Sequence, residues 1–427
     1  MLKVTKMHQL LNRKIWGLLL ILFAFVLPFG PAIPNIVVGL LGVFWLLHLV
    51  RGKLVVSKER IGIILIFTGY FLWYLLTFFY SENVDFFQRK LTMQGFLLFF
   101  PVLFFTMPYR LPKKTVYITL LGFSTSVAVL IFLSFLKQLP LYFEGPDSGL
   151  QALVGNNLST ALISIQYLSL SLYASFAVIA CSYILFVDTS FRLKRKYKVI
   201  MILLIIFLSG ALVILGGRTS IFVTALFLFA FALYSAVKHR NYVVPTLIIA
   251  AVVSGCALFL SNSETFEERW TEVYNFENEE NPSDSYWGGT GMRLLIWDCA
   301  IKVISNDPML GVGVGDEIDQ LTLCYKVYMR NQLLVAGKTF HAHNIFLQAA
   351  VRAGLLGLFL FLLFVIYTSW MAKRKKNYLY LIFIATFVAS GMTESFLQVN
   401  AGVLFLAFFS AFIYTNNTEA LADSSDT

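Results

Sequence analysis

The sequence predicts an all-α, polytopic membrane protein of about twelve transmembrane helices, with one long loop before the tenth span. Three observations predict it: apolar runs long enough to cross a bilayer, basic residues concentrated in alternate connections, and one connection far longer than the rest. The 427 residues are 58% hydrophobic and only 13% charged, whereas soluble domains carry about a quarter charged residues. The excess comes in runs such as Ile15 to Phe29, Ile61 to Phe79, Val199 to Leu215 and Ile345 to Tyr367. A helix of about 18 or more apolar residues crosses roughly 30 Å of hydrocarbon with its backbone hydrogen bonds satisfied. A soluble fold would have to hide a dozen such runs, which excludes it.

Spans are expected near 15–30, 34–50, 61–79, 93–107, 115–136, 159–187, 199–215, 219–237, 243–261, 344–370, 378–394 and 398–414. Residues 1–261 thus hold nine spans, 262–343 form the long loop, 344–414 hold three more, and 415–427 are a polar cytoplasmic tail. Twelve crossings put both termini on one side. The connections on that side hold 22 of the 33 Lys and Arg, including the tract Phe191–Lys198 and the turn Ala372–Lys376. They hold only five of the 23 acids. Basic connections stay in the cytoplasm, so both termini are predicted inside and the long loop outside. The net charge of +10 is therefore a topology signal, and no nucleic-acid partner is needed to explain it. Lys3, Lys6, Arg13 and Lys14 before the first run resemble a signal peptide. No small-residue cleavage site follows and a second span comes at once, so the run reads as an uncleaved helix.

The loop opens with an acidic stretch, Glu264 to Ser285. An amphipathic helix follows at Arg293–Ile304, then the glycines of Pro308 to Gly315. Val84–Met93, with Arg89 and Lys90, reads as a short interfacial helix. Cys181, Cys256, Cys299 and Cys324 have no metal-type spacing. Cys299 and Cys324 lie outside the apolar runs. Two free thiols are the expectation there, with pairing open to them in an oxidising compartment.

Few residues carry chemistry. Arg218 lies between two spans in Leu215–Ser220. Snorkelling is the ordinary reading of such an Arg, but the preceding glycines allow close approach, and a guanidinium fork suits phosphate oxygens. Arg293 opens a loop helix, where the first amides add positive potential; an exposed loop Arg is the plainer alternative. His341 and His343 stand where the loop re-enters the membrane. No Cys pair, carboxylate or HExxH spacing completes a zinc set with them. They read instead as a general base or hydrogen-bond donor near neutral pH, or simply as polar residues at a helix start. Gly311, Gly313 and Gly315 read as a turn, since no strand precedes them and nucleotides are absent outside the cell.

These residues resemble a family. His343-Asn344, nine residues, then Gly354-Leu355-Leu356-Gly357 is similar to a signature of the bacterial O-antigen ligase and polymerase superfamily. The glycine segment before it, Arg218 after two glycines and Arg293 in the long loop agree with it. Arg352 departs from the pattern, since relatives often carry an acid there. The resemblance implies a GT-C-type, metal-independent, inverting glycosyltransferase of the bacterial inner membrane that needs no cofactor. It implies a glycan donor linked to undecaprenyl diphosphate and, for a ligase of lipopolysaccharide biosynthesis, lipid A–core as acceptor at the periplasmic face. His343, Arg218 and Arg293 are then the expected catalytic residues. Arg89, His341 and Asn344 are expected to bind substrate, with Lys90 beside Arg89 as a further cation. A polysaccharide polymerase with a glycan acceptor is the alternative within that chemistry. A transporter of the lipid-linked sugar is the alternative outside it, but transporters show midplane ionisable residues and internal repeats. Here ionisable residues gather at span ends.

Overall fold

The computed structural model describes residues 2–143, 153–188, 194–239, 290–328 and 340–416. Among these are fifteen α-helices and no strand. In chain order they are α1 (Leu2–Val26), α2 (Ala32–Val50), α3 (Lys58–Leu76), α4 (Val84–Gln94), α5 (Phe96–Thr106) and α6 (Lys113–Phe143). Then come α7 (Gly155–Thr160), α8 (Tyr167–Ser182), α9 (Arg195–Leu215), α10 (Arg218–His239), α11 (Thr290–Asn306) and α12 (Glu317–Tyr328). The last are α13 (Ile345–Arg374), α14 (Tyr378–Gly391) and α15 (Asn400–Asn416). Eight of them, α1, α2, α3, α6, α8 with its π-helical extension to Val187, α9, α10 and α13, are long and apolar enough to cross a membrane. α14 and α15 are shorter apolar helices. The protein is a multi-pass membrane protein. The predicted span 243–261 and the stretch Glu264 to Ser285 lie outside the described residues, as do residues 417–427 of the tail.

Two predicted spans are corrected. The run 93–107 breaks at Gly95, leaving α5 with 11 residues, about 16 Å of helix. It is buried, with Phe100 and Phe104 against Phe408 of α15. The run 159–187 is also two pieces. α7 ends at Thr160, where α6 side chains take its carbonyls: Gln138 donates to Asn157 O at 2.7 Å and Lys137 to Ala161 O at 2.5 Å. Gln166 is extended, and α8 begins after it.

The core is built around α8 and α15, which are buried on nearly every face. Phe123 of α6, Phe176 of α8 and Phe405 and Phe409 of α15 pack in tilted and edge-to-face pairs with centroids 4.9–6.2 Å apart. Ile36, Leu40, Leu203 and Ile206 on the flanking α2 and α9 point outward, as a lipid-facing surface requires.

Contacts gather connections into two groups at the ends of the bundle. At the basic end, Arg60 donates to Phe105 O at 3.1 Å, His48 meets Tyr109 at 2.9 Å, and Lys113 pairs with Asp188 at 2.8 Å. Asn377 there donates to Ile413 O at 3.0 Å. At the other end lie the α3–α4 turn, the α9–α10 turn, the loop helices and the segment 392–399.

There the loop docks into a break in α13. Gly354, with φ 64°, interrupts the helix, a conformation that favours glycine. The freed backbone bonds to the glycine segment. Val312 N–H donates to Val351 O at 2.9 Å, Gly313 N–H to Arg352 O at 3.1 Å, and Leu355 N–H to Pro308 O at 2.8 Å. A Cβ on Gly311 would strike the Gly354 backbone, and one on Gly354 would strike Met309. Trp73 of α3 donates to Ala353 O at 2.9 Å and lies over Gly357. Asp316 anchors the other flank, accepting from Glu82 and Asn83 N–H at 2.8 and 3.0 Å. Gly311→Val should therefore lower unfolding stability in detergent by at least about 2 kcal/mol. Gly210→Ala, in open space on α9, should be neutral or slightly stabilising. Equal melting temperatures for G311V and wild type would contradict this docking.

Candidate active site

The site forms where four segments meet at the loop end of the bundle. α13 supplies the first through its cap. The Asn344 side chain accepts from Phe346 and Leu347 N–H at 2.9 and 3.1 Å, which fixes the helix start. Its amide donates to Met392 O at 3.0 Å, and its own N–H donates to Ser395 Oγ at 3.1 Å. Asn344 thus ties the start of α13 to the segment after α14.

His343, one residue before the cap, has φ 45°, a conformation non-glycine residues hold only when their surroundings fix it. It turns the imidazole so that Nδ1 lies 3.0 Å from Glu394 Oε2. Glu394 is nearly buried, and its other oxygen accepts from Ser395 N–H at 3.1 Å. A carboxylate only accepts, so Nδ1 is the donor in this pair, and Nε2 is the ring nitrogen turned to other partners. The His343 side chain stays 28% exposed, open to a substrate.

Arg218 and Arg293 come from two other segments. The short turn before Arg218 comes from Gly216, left-handed at the end of α9, and Gly217, where a Cβ would strike Ser171. Arg218 starts α10 and is exposed. Its neighbour Thr219 meets Thr393 at 2.6 Å, one residue from Glu394. Arg293, half-buried near the start of α11, lies within electrostatic reach of the Tyr167 hydroxyl, and so does Glu394. The structure thus joins His343 and Asn344 directly to the segment Met392–Ser395, which Thr219, next to Arg218, also touches, while Arg293 lies near Tyr167.

Arg89 and His341 are placed differently. Arg89 is exposed on α4, its guanidinium 5.9 Å from the Phe86 ring. Lys90 points inward and donates to Gln398 O and Oε1 at 3.1 and 2.9 Å. Burial lowers Lys90 to about 8, with Glu317 opposing. His341 is mostly withdrawn from water, and burial pushes it down to about 4, again against the pull of Glu317. It is neutral near pH 7, and its buried Nδ1 has no hydrogen-bond partner among the described residues. Among the described residues, no three His, Cys, Asp or Glu side chains cluster as metal ligands do.

The loop helices are fixed by two features that the sequence left open. Cys299 of α11 and Cys324 of α12 form a disulfide, which corrects the expectation of two free thiols. A spacing of 25 residues says nothing by itself; the antiparallel pairing of α11 and α12 brings the thiols together. Around it, Ile296, Val303, Leu321 and Tyr325 pack with Ala342 and Val351. The second feature is Arg352, whose Nε and Nη2 donate to Glu317 at 2.8 and 3.2 Å. Both side chains are buried. Burial alone would raise Glu317, but Arg352, Lys90 and the Gln398 hydrogen bond outweigh it and hold the carboxyl below its usual range.

Residues 203–362 match the model of the O-antigen ligase family. The matched stretch spans Arg218, Arg293, His343 and the break at Gly354. No curated protein matches the chain.

Peptides containing Cys299 and Cys324 should be alkylated only after reduction of the unfolded protein, while the one containing Cys181, free and buried, should label without reductant once unfolded. Labelling of Cys299 before reduction would contradict the pairing.

Proposed function

We propose that the protein is an O-antigen ligase-type transferase that moves a glycan from undecaprenyl diphosphate to an acceptor hydroxyl, lipid A–core, on the periplasmic face of the bacterial inner membrane. The observation that carries the reading is the contact of His343 Nδ1 with Glu394, on a segment that Thr219, next to Arg218, also touches. The acceptor O–H gives its proton to His343 Nε2 as its oxygen bonds to the anomeric carbon. The bond from that carbon to the diphosphate oxygen breaks, and its electron pair leaves with the diphosphate. Attack opposite the leaving group inverts the anomeric centre. Glu394 stabilises the imidazolium that forms. Arg218 and Arg293 meet the charge that grows on the diphosphate, and so act more strongly in the transition state than in the ground state. The exposed apolar faces beside the site suit the prenyl tail.

The orientation is part of this reading. Basic residues mark the opposite end as cytoplasmic, and a disulfide within the loop suits an oxidising compartment. Both termini are then cytoplasmic. A membrane-impermeant thiol reagent should label Asn306→Cys, on the exposed end of α11, in intact spheroplasts. Labelling only after permeabilisation would reverse the topology.

The test of the reaction is transfer in vitro from a defined undecaprenyl-diphosphate glycan. A ligase gives one shift of lipid A–core; a ladder on a glycan acceptor makes the protein a polymerase; donor crossing a bilayer without transfer makes it a transporter. His343→Ala should keep donor binding and lose about 10²–10⁴-fold in turnover. Glu394→Gln should lose less. Arg218→Ala or Arg293→Ala should abolish transfer at normal protein levels, with Lys restoring only part, since it lacks the bidentate fork. His341→Ala should be mild. An inactive H341A beside an active H343A would overturn the assignment within the pair.

A further inference from the structure

One buried carboxylate holds both halves of the His343–Glu394 pair. Glu317 lies at the start of α12 in the loop and is fully buried. One arm runs from it to the histidine. Gln348 Nε2 donates to Glu317 Oε2 at 2.9 Å, while the Gln348 carbonyl oxygen accepts Ala342 N–H at 2.7 Å, one residue before His343. The other arm runs towards the acid. Gln398 Nε2 donates to Glu317 Oε1 at 2.7 Å, four residues after Glu394 on a short helical turn (Phe396–Gln398). Lys90 holds Gln398 from the far side. Gln94 donates to Leu397 O on the same turn.

We infer that Glu317 is a positioning residue that sets the register between the segments carrying His343 and Glu394, acting through Gln348 and Gln398. The chemistry of the four groups fits no simpler role. A buried ion pair is a weak source of stability, because desolvation offsets most of the attraction. Glu317 and Arg352 alone would satisfy each other. Yet Glu317 also takes one amide from each catalytic segment, and both amides are oriented outward from it. The His343 backbone is in the left-handed region, and the neighbouring Ala342 N–H is held by Gln348 alone among the described partners. The loop that carries Glu317 is joined through the disulfide to α11, which carries Arg293. Docking the loop therefore places the cation, the base and the acid in one step. Misplacing a catalytic group by about 1 Å costs on the order of 10²-fold in rate.

This inference rests on the transferase reading for its activity arm only. The test uses the full-length protein in detergent with three variants. Gln348→Met and Gln398→Met each cut one arm and leave the Glu317–Arg352 pair whole. In E317Q/Q348E the carboxylate and the amide trade places, so the relay to Ala342 is rebuilt with opposite polarity and Arg352 keeps an anion one helical turn away. Hydrogen exchange needs no substrate. Gln348→Met should raise exchange at Ala342 about tenfold or more, Gln398→Met should loosen 394–399, and the swap should restore protection at Ala342. With donor and acceptor present, Gln348→Met should lower kcat about 10–100-fold with donor KM within about twofold. The swap should return kcat to within about fivefold of wild type. Unchanged exchange at both segments would overturn the inference whatever the activity. So would a kcat that falls only in step with the melting temperature and does not recover in the swap, since Glu317 would then merely hold the fold. A wild-type protein without transfer, but with the expected exchange pattern, would instead overturn the proposed reaction and leave the positioning intact.

Discussion

The structure depends on an ion pair that the membrane end of the bundle cannot afford to leave open. Arg352 sits in a helix otherwise made to cross lipid, and Glu317 is its buried counter-ion from a different part of the chain. Removing one partner from such a pair costs about 3–5 kcal/mol, because a charge is left buried without compensation. The loop must therefore dock for the tenth predicted span to be tolerable at all. Its docking is specific, because the break at Gly354 offers free carbonyls and an N–H that only a backbone as bare as residues 311–315 can reach. The charge and the break lie two residues apart, so electrostatics and backbone geometry demand the same partner.

From this one contact the site follows. The docked loop brings α11 and its Arg293 towards the start of α8, while Glu317 reaches the segments on either side of the cap of α13. Arg218 arrives by another route, through a turn tight enough that Gly217 lies on Ser171. In the proposed site, two cations from separate segments are assigned to one side and the His343–Glu394 pair to the other. That division suits a reaction in which charge builds on a leaving diphosphate while a proton is lost at the other side of the sugar.

Much of this was legible in the sequence. Apolar runs gave the long helices, and the basic turns gave the grouping of connections by bundle end, because both are direct consequences of solvation. The lengths were less legible. Residues 161–165 stay mainly apolar through a stretch that is not helical, and α5 is as apolar as a full span yet too short to be one; hydropathy does not report where a neighbour's side chain takes a carbonyl. At the site, the signature beginning at His343 pointed to the residue that meets Glu394. Glu394 was missed although it is the only charged residue between Lys376 and Glu419, a signal that was present and could have found it. Glu317 could not have been found that way, since its partner lies 35 residues on and nothing in the spacing joins them. The difference between Arg89 and Lys90 is one step of about 100° around α4, which turns one cation to solvent and the other to Gln398.

The most direct test of the account is an experimental structure of the protein with undecaprenyl diphosphate bound in a lipid nanodisc. The account predicts the diphosphate at the loop end of the bundle, its oxygens within about 4 Å of the Arg218 and Arg293 guanidiniums, with His343 Nε2 facing the side from which an acceptor would approach. A diphosphate held at the basic end by Arg60 or Arg110, or one bound with both Arg218 and Arg293 turned away, would contradict it.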